Sequence, residues 1–304
     1  MTQRVISMEH LFIVNPVAGK GKTLKTIPDI EAIMEKHSLS YRLEITKAPK
    51  HAAEIAREYV KKYRNLRVYA VGGDGTLNEV LQGVAGSDAS LGNVPAGTGN
   101  DFIKNFCTET EPLELLPRLI NARPVPLDLC KMNDMYYLNI ASAGFDADVV
   151  ANTQYLKHIP FIKGKIAYIG GILLSLIRMK NYEATFYIDD EEIHMSRILL
   201  SAFANGKYYG GGMKAVPSAV PDDGLLDVCM INGVGRLKIF FFFPRFIKGK
   251  HIKMKEVNIK RCRSVRMVSP SQVHVNADGE LFRLNELNIE IIEKGINFII
   301  PSAD

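Results

Sequence analysis

Residues 72–78 read Gly-Gly-Asp-Gly-Thr-Leu-Asn, after the apolar run Leu66 to Val71 and before Glu79-Val80-Leu81. The apolar run reads as a strand, and the residues from Thr76 as the first turns of a helix. Three glycines within four positions permit positive φ and leave no Cβ in the way of a bound group. Strand, glycine turn and helix N-terminus together aim unpaired N–H groups and a partial positive charge at one point, which suits phosphate. Asp74 runs against this. Its carboxylate would repel a phosphate about 4 Å away by roughly 4 kcal/mol at an effective dielectric near 20. A divalent cation between the two, Mg²⁺ by preference, removes the conflict. A plainer reading also fits: Thr76 and Glu79 make a capping box, and Asp74-Gly75 an ordinary turn.

A second cluster, Pro95-Ala96-Gly97-Thr98-Gly99-Asn100-Asp101-Phe102, follows the apolar segment Ala89 to Val94. A third strand end, Leu11 to Val14, runs into Asn15-Pro16-Val17-Ala18-Gly19-Lys20. Glycine turns at the ends of successive strands belong on the carboxyl edge of one parallel sheet, where α/β domains bind ligands. Asn100 and Asp101 also suit caps of the next helix. Gly19-Lys20-Gly21-Lys22-Thr23 imitates the end of a Walker A loop, but the opening glycine would fall at Pro16, so the pattern fails. What remains is a basic loop, with Asn15 and Lys20 as its nucleotide contacts. Neither glycine cluster matches the dinucleotide fingerprint.

The elements that must carry these loops change character near residue 125. Before it, strands at Leu11–Val14, Tyr41–Ile45, Val68–Val71 and Ala89–Val94 alternate with helices at Thr23–His37, Ala52–Tyr63 and Thr76–Gly86. That rhythm means an α/β domain with a parallel sheet. Beyond it, short β-branched and aromatic segments dominate: Tyr136–Ile140, Tyr182–Ile188, Ile198–Ala204, Leu225–Ile231, Val265–Val268, Val273–Ala277 and Leu287–Ile292. Turn signals separate them, as expected of an all-β antiparallel sandwich. One helical stretch, Lys163 to Met179, interrupts it. The domains are read as 1–125 and 126–295.

In order along the chain, the motifs resemble the diacylglycerol kinase catalytic family, which includes bacterial lipid kinases and sphingosine and ceramide kinases. The resemblance rests on Val14-Asn15-Pro16, on Gly72 to Thr76 with Asn78-Glu79, and on Pro95 to Phe102. It continues through Asp128, Asn139 to Ala147 and Pro221 to Val228, and ends at Asp278-Gly279-Glu280. The Gly-Gly-Asp-Gly-Thr loop alone would be shared with NAD kinases and phosphofructokinases; the second cluster and the late Asp-Gly-Glu favour the lipid kinases.

That resemblance implies an ATP- and Mg²⁺-dependent lipid kinase. It implies ATP contacts from Asn15, Pro16, Gly19, Lys20, Thr46, Gly72, Gly73, Asp74, Gly75, Thr76, Asn78, Gly97, Thr98, Asn100 and Asp101. Glu280 is then the base for the lipid hydroxyl, Asp128 a companion acid and Asp74 the metal-bridging carboxylate. A second, structural Mg²⁺ would lie on the Asp223 carboxylate and the carbonyls of Val220 and Leu225. The last strand, near residues 296–304, would return to the first domain and leave the active site in the cleft between the two. Read without the resemblance, Glu280 is a hairpin residue after the two-residue turn Asp278-Gly279, and Asp128 a polar strand end. The Pro221–Leu225 segment is a plain turn, with Asp222 as an alternative carboxylate.

Composition agrees with a cytoplasmic enzyme: 304 residues, 47% hydrophobic and 23% charged, can bury one or two cores. The 4 cysteines, Cys107, Cys130, Cys229 and Cys262, form no C-x-x-C pair, which argues against a zinc site or a disulfide framework. Met1 to His10 has no signal-peptide core, and the apolar stretches fall short of the ~20 residues of a bilayer span. The net charge of +5 is concentrated. From Arg245 to Arg266 the cations Lys248, Lys250, Lys253, Lys255, Lys260, Arg261 and Arg263 meet Glu256 alone, just after Phe240-Phe241-Phe242-Phe243. Aromatics beside a polybasic run suit peripheral contact with an anionic membrane; a solvated face is the plain alternative, and no nucleic-acid motif accompanies the run. Diacylglycerol is the expected acceptor, with another lipid alcohol or a non-catalytic lipid-binding protein as rivals. Assembly as a monomer or as a homodimer is equally compatible with the sequence.

Overall fold

The computed structural model describes residues 10–109, 111–159 and 164–302. The chain divides into two compact units, one running to Leu129 and resuming at Glu293, the other from Cys130 to Ile292. Strands β5 (Pro124–Met132) and β15 (Glu280–Ile299) carry the chain from one unit into the other.

In the first unit β1 (His10–Val14), β2 (Tyr41–Ile45), β3 (Arg67–Gly72) and β4 (Ser90–Pro95) are parallel. The end of β15 joins them, Asn297 to Ile299 lying parallel to Ser90 to Gly92 of β4, so the sheet order is β15-β4-β3-β1-β2. β1, β3 and β4 are buried almost throughout, β1 and β3 with mostly apolar side chains, as a parallel sheet covered on both faces requires. Helices α1 (Ile27–Lys36), α2 (His51–Lys62), α3 (Asp74–Val84) and α4 (Pro112–Asn121) complete the unit. The first helix was expected from Thr23, but residues Ala18–Thr26 form an irregular 3-10 segment and α1 begins at Ile27. Pro28 explains the shift: proline lacks the N–H that an interior helical position must donate, so it fits only the first turn.

The second unit is antiparallel. β7 (Ile140–Gly144) and β8 (Tyr182–Ile188) each pair with both long strands β9 (Glu191–Ala204) and β14 (Ser264–Ala277). β9 continues through β12 (Leu226–Asn232) to β13 (Val257–Cys262), and β14 pairs with β15. β6 (Met135–Tyr137) pairs with β5, and β10 (Tyr208–Tyr209) with β11 (Met213–Lys214). One core takes buried side chains from nearly every long strand, among them Tyr137, Phe186, Phe203, Val228, Met267 and Leu287, so the strands face one another across it.

Three helices accompany these strands: α5 (Phe145–Lys157), α6 (Gly164–Ile177) and α7 (Arg236–Ile247). α6 is the stretch read from Lys163, a residue that lies outside the described ones. α5 begins inside the Asn139–Ala147 motif, at a helix the sequence pattern does not predict. A second core joins α5 and α7 to β9 and β12 through Phe145, Val149, Leu200, Ile231 and Phe246. Among the described residues no helix is long and apolar enough to cross a membrane.

Candidate active site

In the first unit the three sequence-marked loops meet. Asn15 follows β1 and bonds to β3 through its N–H to Val71 O (3.1 Å), while Ala96 N–H donates to Gly72 O (2.8 Å). The Asn15 amide donates to Thr76 Oγ1 at 2.9 Å, Thr23 Oγ1 donates to Asn15 O at 2.6 Å, and Thr46 N–H reaches Val14 O at 2.9 Å. Two glycines explain how close the turns come. A Cβ on Gly97 would stand 2.4 Å from the Gly73 Cα, and one on Gly73 would stand 3.1 Å from the Gly97 Cα. No side chain fits between the two turns.

The capping box expected of Thr76 and Glu79 does not form. α3 starts at Asp74 with Gly73 as its cap and no side-chain cap bond, and Thr76 instead receives the Asn15 amide. The first-turn N–H groups of α3 therefore keep the unpartnered character of a helix start. A Cβ on Gly75 would meet nothing within 4 Å, so this turn is open where an anion would approach. Exposed Lys20, in a left-handed stretch with Gly19 and Gly21, and exposed Thr98 flank the same loops, and Pro16 is half-buried. Asn78 is buried and accepts from Gln82 Nε2 at 2.9 Å, which makes it a support of α3.

The next helical turn, the 3-10 turn Ile103–Asn105, has Phe102 as its N-cap residue, with no side-chain cap bond from it. The Asn100 side chain closes back on Gly97, accepting its N–H (3.1 Å) and donating to its carbonyl (3.2 Å). Asp101 pairs with Lys104 at 2.9 Å. The Asp74 carboxylate then ties the two turns: Oδ1 accepts the N–H of Asp101 at 2.7 Å and of Phe102 at 3.3 Å. Burial pushes the Asp74 pKa up, the neighbouring Asp101 carboxylate adds to this, and the two N–H donors oppose it. Two crowded carboxylates beside an open helix N-terminus are hard oxygen donors lacking a full counter-charge, and they fit a divalent cation shared with a phosphate. No cluster of three or more His, Cys, Asp or Glu exists among the described residues, so such a cation needs oxygens from its ligand.

In the second unit Glu280 is exposed and lies directly opposite Ala277 across the β14–β15 hairpin. Asp278 and Gly279 both have positive φ (44° and 96°), as a two-residue turn of the primed type requires. In the sequence Asp278 reads only as a turn former. Its carboxylate also accepts the N–H groups of Leu138 (2.8 Å), Asn139 (3.2 Å) and Ile140 (3.0 Å). A free, exposed carboxylate thus stands on a pinned turn. His274 and Asp148, 2.5 Å apart between β14 and α5, form an acid–imidazole pair that no motif indicated.

Two implied roles meet other partners. Asp128, on β5, is completely buried and accepts the Lys294 N–H at 2.8 Å, at a residue with φ of 53°. It holds the chain where β15 returns to the first unit. The Val220, Asp223 and Leu225 set does not fit a metal. Asp223 Oδ1 accepts the Leu225 N–H at 3.1 Å and Oδ2 pairs with the Arg261 guanidinium. Arg261 Nε also lies 3.5 Å from Asp227, a buried carboxylate held by Ser218 at 3.0 Å. Asp227 and Arg261 are register partners on β12 and β13, so the cation at this turn comes from the chain.

Glycine turns meeting at the carboxyl edge of a parallel sheet, in a chain that continues into a β-rich unit, suit a phosphotransferase. Residues 9–132 match the diacylglycerol kinase catalytic domain, and residues 139–299 match the YegS C-terminal NAD kinase beta sandwich-like domain. The chain belongs to the diacylglycerol kinase family and is a lipid kinase. It is 30% identical to a diacylglycerol kinase of Staphylococcus saprophyticus and 29% identical to one of Mycobacterium tuberculosis. Each alignment covers 88% of this chain and 87% of the relative. A crystal structure of a diacylglycerol kinase from Bacillus anthracis, 20% identical, shares the fold at a TM-score of 0.69 over 99% of this chain and 98% of that one.

Proposed function

We propose that this kinase transfers the γ-phosphoryl group of ATP, with Mg²⁺, to the free hydroxyl of diacylglycerol, giving phosphatidic acid. The observation that carries the donor half is the Asp74 carboxylate at the open start of α3, fixed by the Asp101 and Phe102 N–H groups. The relatives named diacylglycerol kinase support the acceptor half.

The chain's own groups divide the work. The α3 N-terminus and the loops around Gly73 and Gly97 receive the phosphates, and Lys20 adds an exposed cation. Asp74, with Asp101 beside it, would hold Mg²⁺, which when bound neutralises the charge of the transferring group. Glu280 takes the proton of the acceptor hydroxyl as its oxygen bonds to phosphorus and the bond between the β- and γ-phosphates breaks. The turn anchored by Asp278 keeps that carboxylate in one place.

Membrane contact belongs to the same reading. α7 exposes Leu237, Phe240 and Phe241 on one side, and Lys248, Lys250, Lys253 and Lys255 beyond it are also exposed. The far half of the basic run is engaged within the fold: Lys260 with Glu191, Arg261 with Asp223, Arg266 with Glu286. Docking on an anionic, cytoplasm-facing bilayer therefore falls to α7 and residues 248–255.

The test is transfer of labelled phosphate from ATP to a panel of lipids in mixed micelles, with and without chelator. Diacylglycerol should be the preferred acceptor and chelator should abolish transfer. A strong preference for a sphingoid base, a polyprenol or phosphatidylglycerol would overturn the acceptor, and full activity without divalent cation would overturn the metal.

A further inference from the structure

The loop that carries Asp101 is closed by a lysine. Lys104 stands in the 3-10 turn Ile103–Asn105, between the buried Ile103 and Asn105, whose amide donates to Phe102 O at 2.8 Å. Buried Phe102 packs edge-on against Phe106 and Phe298, which fixes the base of the turn. From there Lys104 Nζ reaches back to Gly99 O at 2.6 Å and to Asp101 Oδ1 at 2.9 Å. Its side chain is 26% exposed and that of Asp101 7%. An ion pair this sheltered, with a second bond to a carbonyl, is held more firmly than a surface pair of two long side chains.

The oxygens of the two neighbouring carboxylates divide their tasks. Asp74 Oδ1 accepts the Asp101 and Phe102 N–H groups, and Asp101 Oδ1 accepts from Lys104. The two Oδ2 atoms converge on Gly99: a Cβ there would stand 2.7 Å from that of Asp74 and 3.6 Å from that of Asp101. The bare backbone of Gly99 keeps this place open at the start of α3. Without Lys104 the pair would carry two negative charges and attract a bare divalent cation. With it the pair carries one. Mg²⁺ gives up its water reluctantly and is usually held by one or two carboxylates together with substrate phosphates. A seat of one net charge is weak for the ion alone and adequate for an ion that brings phosphate with it. The same lysine offsets part of the repulsion between these carboxylates and the phosphates.

We propose that Lys104 is a positioning residue for the donor half of the reaction. It holds the Asp101 carboxylate and cancels one charge of the Asp74–Asp101 pair, so that Mg²⁺ is bound only together with nucleotide. Lys104 acts through Asp101 and the Gly97–Asp101 loop. The inference rests on the Mg²⁺–ATP reading of the first unit and is independent of the acceptor.

Thermal melting of the full chain is followed as Mg²⁺ is added, with and without ATP, for the wild type, Lys104→Met and Lys104→Arg. A ligand that binds the folded state raises its melting temperature. Mg²⁺ alone should leave the wild type unmoved, and Mg²⁺ with ATP should raise it. Lys104→Met should be stabilised by Mg²⁺ alone, with an apparent affinity for the ion at least about tenfold above that of the wild type. In ATP titrations at saturating Mg²⁺ the same variant should bind at least about tenfold more weakly. Lys104→Arg keeps the charge and can donate to both oxygens, so it should restore the wild-type pattern. A lysine that merely braces the loop would lower the melting temperature of Lys104→Met equally at every Mg²⁺ concentration, and that result overturns the proposal. A wild type stabilised by Mg²⁺ alone as much as Lys104→Met also overturns it. Should Lys104→Met fail to fold, Lys104→Gln keeps a donor without the charge and is read in the same way. A wild type that Mg²⁺ and ATP together do not stabilise overturns the nucleotide reading; stabilisation by Mg²⁺ confined to Lys104→Met then still upholds the lysine as counter-ion.

Discussion

Asp278 and Ile140 are joined by reciprocal hydrogen bonds: Asp278 N–H donates to Ile140 O at 3.2 Å, and Ile140 N–H donates to Asp278 Oδ1 at 3.0 Å. With Leu138 and Asn139 on Oδ2, one turn residue secures three backbone donors two positions before Glu280. Hydrogen bonds to a charged acceptor contribute about 1.5–3 kcal/mol each, and they do not add in full. Asp278→Ala should therefore destabilise the protein by about 2–4 kcal/mol. It should also lower kcat through misplacement of Glu280 while ATP affinity holds. Urea unfolding beside single-turnover kinetics checks both; a variant with wild-type stability and rate shows the turn to be held by other means.

Glu280→Gln preserves the size of the side chain and removes its basicity. General-base catalysis is worth ~10²–10⁴-fold, so kcat should drop by that order with ATP affinity and melting temperature unchanged. An exposed residue on a surface hairpin has little else to lose. A loss below about tenfold, in a variant that binds ATP and melts normally, removes Glu280 from the mechanism.

Asp74→Asn keeps an oxygen in place for the Asp101 and Phe102 N–H groups, so the loops should stay joined. What disappears is the negative charge that would hold Mg²⁺. Removing one electrostatic contact to the transferring group typically costs ~10²–10³-fold, and turnover should fall at least that far with melting little changed. Near-normal transfer at ordinary Mg²⁺ by this variant excludes the metal bridge.

Asp146, in the first turn of α5, is half-buried, and both its carboxylate oxygens are shielded from solvent without a hydrogen bond of ordinary geometry. Burial lifts its pKa from 3.8 to about 6, against the pull of Ser142, the Ala147 N–H and Tyr209. The folded state thus holds the proton more tightly than the unfolded chain. The stability it contributes is complete below about pH 4 and is lost as pH rises through about 6, a change of about 3 kcal/mol. Asp146→Asn has no such proton to lose. The gap between variant and wild type in urea unfolding should widen in the variant's favour from pH 4 to pH 7; a gap independent of pH refutes the assignment.

The cation of the Asp223 turn is Arg261, so chelation should leave the melting temperature of the protein alone. Arg261→Met should lower it and cost about 1–3 kcal/mol of stability, because the buried Asp227 carboxylate loses a partner that is itself 43% exposed. Added Mg²⁺ should not restore that loss. Rescue by Mg²⁺, or a melting temperature that drops on adding chelator to the wild type, points instead to a metal at this turn.

The parts of this protein legible in its sequence were those governed by short-range chemistry. Alternating apolar runs placed β1 to β4 within a residue or two, because hydrophobic period and turn residues act locally. Glycine-rich turns at strand ends located the loops that meet at Gly73 and Gly97, and Asp278-Gly279 located the hairpin. Side chains whose partners are distant in sequence were decided only by the tertiary structure. Thr76 receives Asn15 rather than capping α3, Asn100 closes its own loop, and Asp128 holds Lys294. Asp223 meets Arg261, 38 residues away. Each of these polar side chains is short and can satisfy itself in several ways, and which partner it takes depends on what the fold brings within 3 Å. Helix α6 is the same lesson reversed: periodicity marks its apolar residues, but only packing reveals that Ile166, Ile169, Leu173 and Ile177 are left exposed.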